Sequence, residues 1–299
     1  MESIYPIDEQ IINVVRTMNS GFLQTYKYLG LTPYRIIKNT TLNEKFAILP
    51  EVAPAGDQMP SNRYLVIGNR GHRNIKGEDG SDESENIIHR TDNCALYNHI
   101  PFVMRAMDDD LTALQREQYC LRRIEAHFGK NYIVYYARRF DVALVRPQLI
   151  EIEVINGIPT PTPYVPTSDN LNPEIPEISN NGTVIGSNKN ISSSAIVEIR
   201  LSSQDVYEIV NAHRIRTNST RSPVISEMGI CSGVDRTADG TSDEGVFQYR
   251  EVIACQINTF IASNHPIGYN NSGLTLRLDI GNTEPTLGQQ AVHQAVFVP

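Results

Sequence analysis

The chain has 299 residues, of which 40% are hydrophobic and 20% charged, with a formal net charge of -8 and a pI near 5.4. That length can bury a substantial core without covalent staples, and the acidic balance disfavours a surface devoted to neutralising phosphates. No uninterrupted apolar run is long enough to span a bilayer, and the opening MESIYPIDEQ lacks a charged start and a following apolar signal segment, so the expectation is a chain made and kept in the cytosol or in a particle assembled there.

In chain order, Ile11, Val15, Met18, Phe22, Tyr26 and Leu29 recur at helical spacing. With Asp8 available as N-cap and Gly30 as a stop, they predict an amphipathic helix over 8–29. Pro33, Pro50 and Pro54 break the next stretch into short apolar groups, read as short strands and extended connections. Residues 63–67 read as a strand, and the acidic GEDGSDESE at 77–85 as an exposed loop. A helix is expected over 111–128: Leu114, Leu121, Ile124 and Phe128 share a face, Thr112 and Gln115 can form a capping box, and Gly129 can end it. NYIVYYARRFDV at 131–142 then alternates as a strand.

From Ile155 to Ser194 the texture changes, with Pro159, Pro161, Pro163, Pro166, Pro173 and Pro176 followed by an Asn- and Ser-rich stretch, a composition better suited to spanning a surface than to building a core. AIVEIRL at 195–201 reads as a strand, and Ser202 or Ser203 as the cap of a short helix carrying Val206, Ile209 and Val210. Two alternating runs, Phe247 to Ile261 and Leu274 to Ile280, joined by turn residues, complete an antiparallel signature.

The motif that first raises a function is YLVIGNRGHR at 64–73, where an apolar strand runs into a glycine-flanked loop. It fails the phosphate tests: no GxxxxGK followed by a hydroxyl, and no GxGxxG. Its GxxG spacing matches the loop that clamps nucleotides between helices in KH domains, but here the loop follows a strand, so a turn using the backbone freedom of glycine is preferred. His72, His89, His99 and His127, with Asp92 or Asp110, have no helical HxxxH spacing and read as scattered polar histidines. Asp108-Asp109-Asp110 suits a helix N-terminus better than a cation, and the acidic stretches 78–85 and 235–244 lack the ordered spacing of a calcium loop. Cys94, Cys120, Cys231 and Cys255 form no CxxC pair and are expected to be free thiols. No serine lies in a GxSxG elbow. No catalytic, cofactor-binding or metal-ligating residue is assigned, and no cofactor is expected. Arg122-Arg123 and Arg138-Arg139 concentrate positive charge in the first half. They are the candidate interface residues, with pairing to neighbouring subunits preferred over nucleic acid in so acidic a chain.

Taken together, NRYLVIGNRGHR, HRTDNCALYNHIPFVMR and LRRIEAHFGKNYIVYYARRFDV, spanning 62–142, resemble structural proteins of tailed bacteriophages. The resemblance covers roughly the first half of the chain and implies a non-enzymatic virion subunit. It would be assembled in the host cytoplasm and work through contacts with copies of itself, in a ring or other symmetric array, and with other head, neck or tail proteins. The neck, where head meets tail, is the first expectation, and the tail or baseplate the second; no membrane and no specific nucleic acid is expected as partner. Two readings from other classes stand beside it: an enzyme with a cleft of His72, His89, Arg90 and Asp92, and a nucleic-acid-binding module using the arginines. The expected fold is α+β: a mainly antiparallel β core with an N-terminal amphipathic helix, one or two further helices and long extended loops. Its parts are an α+β portion at 1–154, an extended segment at 155–194 and a β-rich portion at 195–299 completing the same core.

Overall fold

The computed structural model describes residues 13–49, 53–173, 189–242, 245–266 and 273–286. The chain divides into two compact units, the first built from 1–141 and 200–274 and the second from 142–199 and 275–299. The fold is α+β and mostly antiparallel sheet. The first unit begins with β1 (Asn13–Arg16), α1 (Met18–Leu29), α2 (Leu42–Phe46), β2 (Ser61–Gly68), β3 (His72–Lys76) and β4 (Asp82–Asn86). It continues with β5 (His99–Ile100), β6 (Val103–Ala106), α3 (Ala113–Arg116), β7 (Tyr119–His127) and β8 (Lys130–Arg139). β9 (Gln148–Ile155), β10 (Ile158–Pro163) and most of β11 (Lys189–Leu201) belong to the second unit. The chain then returns to the first with α4 (Ser203–Thr217), β12 (Val224–Ser242) and β13 (Gly245–Pro266), and β14 (Leu274–Pro285) rejoins the second.

In the first unit the sheet runs β1-β13-β12-β2-β8-β6, with β5 paired to β2 and β7 to β8. β2 is buried from Tyr64 to Gly68 and lies between β12 and β8, which is why its residues read as a continuous apolar run. Tyr64, Val66, Met104, Val134, Tyr136, Cys231, Cys255, Ile257 and Phe260 form the core around it. Each large side chain removed from water there contributes roughly 1.5–3 kcal/mol.

Four local expectations are corrected. The N-terminal helix starts at Met18, where Thr17 accepts a hydrogen bond from the Ser20 amide at 3.3 Å. Asn13 to Arg16 pair instead with β13, so sheet pairing overrides the helical spacing; residues 8–12 lie outside the described residues. The broken stretch after Gly30 contains α2 rather than strands among its described residues. Asn43 of α2 is buried because its carboxamide fills a β-bulge: Ala254, with φ of 53°, and Cys255 oppose Gly233. There Asn43 Nδ2 donates to the Val252 carbonyl at 2.7 Å, and the Cys255 amide donates to Asn43 Oδ1 at 2.9 Å.

The acidic stretch expected as a loop is a hairpin, β3 paired with β4 from His72 opposite Asn86 to Lys76 opposite Asp82, with only the turn between them. Of the second acidic stretch, 235–242 lies in β12, with Asp235 opposite Val252 and Thr241 opposite Val246, and 243–244 lie outside the described residues. The long helix expected over 111–128 stops at Arg116, although the Thr112/Gln115 capping box forms. Leu114 and Phe128, two of the residues that suggested it, are among the most exposed apolar side chains, while Tyr119, Cys120, Leu121 and Arg122 are buried on β7. Leu121 has a φ of 55° with the β7–β8 register unbroken on either side of it, and Phe128-Gly129, at 49° and 77°, turn the chain into β8.

Among its described residues the second unit is a four-stranded sheet in the order β10-β9-β11-β14. The expected extended segment 155–194 supplies β10 and the start of β11 among its described residues, while 174–188 lie outside them.

Candidate interaction surface

The glycine-flanked loop after β2 is built around an acid that belongs to no sequence motif. Glu227 of β12 is fully buried, and its Oε1 accepts from the amides of Arg70 at 3.1 Å and Asn98 at 2.9 Å. Its Oε2 accepts from the Tyr97 amide and lies against His89 Nε2, both at 2.9 Å. Of the loop that resembled a phosphate grip, the Arg70 amide therefore already faces the protein's own carboxylate, and the Gly71 amide donates to Ser226 Oγ at 3.0 Å. Gly68 and Gly71 are glycine because of space, not backbone angle: a Cβ on Gly68 would lie 2.6 Å from Glu227 Oε1, and one on Gly71 would lie 2.2 Å from the Ser226 carbonyl. His89 is stacked between Tyr97 and Phe260, at ring-centroid distances of 4.2 and 4.0 Å.

The residues of the enzyme reading are brought to different surroundings. His89 is sealed against Glu227; Arg90 and Asp92 pair with each other in solvent at 2.6 Å; His72 takes a position on β3. Of the other histidines, His99 accepts from the Leu96 amide at 3.1 Å, and burial, aided by the charges of Lys45 and Arg216, pushes its pKa down to about 3. His127 contacts Glu125 at 3.0 Å. Among the described residues no three His, Cys, Asp or Glu side chains are grouped to hold a metal ion, and no helix is long and apolar enough to cross a membrane.

Three of the four candidate interface arginines are clasps within the subunit. Arg122 reaches Asp110 at 3.2 Å, and Asp110 also holds Arg116 at 3.3 Å and accepts from the Tyr135 hydroxyl at 2.8 Å. The Arg122 guanidinium lies over Phe247 and Tyr249 of β13, within the range of a cation–π contact. Arg138 binds both oxygens of Asp205, at 2.9 and 3.1 Å, and Tyr119 donates to the same carboxylate. Arg139 donates to Asp235 at 2.8 Å and to the carbonyls of Tyr119, Glu117 and Arg250, tying β8 to β7, β12 and β13. Arg123 pairs with Glu125 at 3.1 Å and is the most exposed of the four, with about a third of its side chain in solvent. Asp108 to Asp110 likewise serve less as a helix cap than as the anchor, through Asp110, of this cluster.

Burial raises the Asp205 carboxyl, but the Tyr119 and Ser202 donors and the Arg138 charge outweigh it and hold the group below its ordinary range. Glu251 goes the other way, raised by burial although it accepts from the amides of Leu121, Val252 and Arg122 at 2.6, 2.8 and 2.9 Å. Those amides belong to Leu121, at φ of 55°, and Arg122 of β7 and to Val252 of β13, so Glu251 satisfies buried backbone donors of two strands. The sequence signal for both Glu227 and Glu251 is an acid placed inside an apolar strand, VISEMGI and REVIACQI. For Asp205 it is the Ser202-x-x-Asp205 spacing, which forms a capping box.

What remains open to a partner is elsewhere. A cleft of about 190 Å³ is lined by Asn69, Asn98, Ile100, Ile209, His213 and Arg216 among others. Arg216 donates to the His99 carbonyl at 2.8 Å, and Asn98 to Asn69 Oδ1 at 2.5 Å. Burial, with the Arg216 charge, lowers the pKa of His213. The end of α1 exposes Tyr28, Leu29 and Leu31. In the second unit β10 is exposed along its whole length and β9 buries no residue fully. Leu149, Val154, Ile155, Ile158 and Ile196 lie open there.

The model of a family of unknown function, DUF7208, matches residues 1–295. No curated protein matches the chain, and no solved structure does.

Proposed function

We propose that this chain, which belongs to the DUF7208 family, is a structural subunit of a tailed-phage virion in the neck between head and tail. It acts by assembly with copies of itself and with other head, neck or tail proteins, after synthesis in the host cytoplasm. One observation carries the reading: the second unit is one antiparallel sheet, and apolar side chains on β9, β10 and β11 are left in solvent. A sheet gains its stability by burying a face against another layer, and apolar surface left in the free subunit suits burial in an assembly. The resemblance of 62–142 to phage structural proteins names the kind of assembly.

The test is a nonsense mutation in a phage carrying the gene, followed by electron microscopy and mass spectrometry of the particles. Separated heads and tails are expected. Filled heads bearing incomplete tails would move the subunit to the tail or baseplate, and complete infectious virions lacking the polypeptide would overturn the reading.

A further inference from the structure

The two edges of the second unit's sheet differ in chemistry. β9 and β10 are joined by Asn156-Gly157, with φ of 52° and 82°, the mirror-image two-residue turn that suits a right-twisted hairpin. In such a hairpin the flanking residues, Ile155 and Ile158, form a hydrogen-bonded pair, and hydrogen-bonded pairs recur at every second position. The register then puts Thr160 opposite Glu153 and Thr162 opposite Glu151 in hydrogen-bonded sites. Pro159, Pro161 and Pro163 fall in the sites between, opposite Val154, Ile152 and Ile150. At those sites the backbone nitrogen points away from β9, towards the open side, and proline has no N–H to offer there. The outer edge of β10 is closed to further strands.

The other edge, β14, carries no proline from Leu274 to Glu284 and has a neighbour on one side only among the described residues. Its side chains alternate, Leu276, Leu278 and Ile280 half-buried and Thr275, Arg277 and Asp279 exposed. Arg277 pairs with Glu198 of β11 at 3.3 Å, and more than half of its side chain remains in solvent.

We propose that β14 pairs antiparallel with β14 of a second copy of this chain, about a two-fold axis at Leu278, joining two four-stranded sheets into one. The argument is charge complementarity in a single register. With the axis at Leu278, Arg277 of each copy lies opposite Asp279 of the other, twice over by symmetry, while Leu276 faces Ile280 and Leu278 faces itself. Opposite charges directly across an antiparallel pair are favourable, and like charges are not. Moving the axis to Leu276 or Ile280 sets Arg277 opposite Thr275 or Thr283 and leaves neither charge an opposite charge across the axis, only the contacts within its own sheet, Arg277 to Glu198 and Asp279 to Ser194. A slip by one residue sets leucine opposite charge. Because β10 is closed, extension stops after one addition: the joined sheet ends in a proline-bearing strand at both extremes. The contact is isologous and yields a closed pair, the form from which a larger array would be built.

This inference rests on the assembly reading and names one of its partners, but its test uses the purified full-length chain and no virion. Sedimentation velocity across micromolar concentrations is expected to show a dimer. Arg277→Asp places aspartate opposite aspartate, and Asp279→Arg places arginine opposite arginine. Each variant alone is expected to weaken self-association at least tenfold while keeping the far-ultraviolet circular dichroism of the parent. Mixing the two variants restores a dimer containing one of each, and the double exchange Arg277→Asp with Asp279→Arg dimerises like the parent. A monomeric parent, single variants that dimerise undiminished, or a mixture no better than its components would overturn the proposal. A monomeric parent together with virions that fail without the chain overturns the pairing and leaves the assembly reading; a dimer together with normal virions does the reverse.

Discussion

A glutamate removed from water needs donors for both oxygens, and Glu227 has three backbone amides and His89. Glu227→Gln keeps the shape but turns an NH2 group towards donors on one side, leaving buried polar groups facing each other. The expected loss is about 2–4 kcal/mol, read as a lower urea midpoint, whereas Arg90→Ala, which breaks a solvent-exposed pair, should stay within about 0.5 kcal/mol. Asp205 adds a pH dependence. Its folded-state pKa lies below the ordinary 3.8, so the unfolded chain binds the proton more readily, and the stability Asp205 contributes is fully present above pH 3.8 and lost as pH falls through the depressed value. Glu251, raised above its ordinary 4.5, has the opposite sign: its contribution falls as pH rises from 4.5 towards the raised value and is then constant. In acid unfolding followed by circular dichroism, Asp205→Asn is expected to be less stable than the parent near neutrality and to lose less stability below pH 3.8. An unchanged acid limb would show that the Arg138 clasp is not linked to folding.

At the scale of elements, long-range partners decide several outcomes that local spacing does not. α2 is five residues long, too short to persist alone, and it is held by Thr41 as cap and by Asn43 inserted into the β13 bulge. Asn43→Ala would leave the Cys255 amide and the Val252 carbonyl without their partner in a buried site, with an expected loss of about 2–4 kcal/mol in thermal or urea unfolding. Asn43→Asp is the informative companion, since it keeps the acceptor for Cys255 and removes the donor to Val252. The strands at 195–201 and 274–280 were legible in the sequence because their burial follows a period of two, as in β11 and β14, whereas β8 and the middle of β13 are buried without a break; α4 was legible because its serine cap and apolar residues lie close together in the chain. The stretch 111–128 was not. Its capping box is real, but Leu121 and Arg122 give their amides to Glu251, about 130 residues away, and no local pattern announces that partner. The arginine pairs were legible as a cluster but not as internal clasps, because Asp205 and Asp235 come from distant parts of the chain. Nor could the spacing of Gly68 and Gly71 show that a buried glutamate would occupy the loop between them.

At the scale of the whole molecule, sequence order and spatial order differ. The segment 142–199 belongs to one unit and interrupts the other, whose sheet is completed only by 200–274. β2, the buried strand at the centre of that sheet, has β8 on one side from the first half of the chain and β12 on the other from the second. β1, the first described strand, pairs with β13 alone among the described residues. On a translating ribosome that order becomes a waiting time. Between the synthesis of β2 and that of β12 lie some 160 residues, roughly 10–30 s at about 5–20 residues per second, during which one side of an apolar strand has no intended neighbour. Where many copies are made at once, that interval is when neighbouring nascent chains compete for the same strand, and a chaperone that shields residues 61–68 until β12 emerges would raise the yield of folded chains without touching the finished fold.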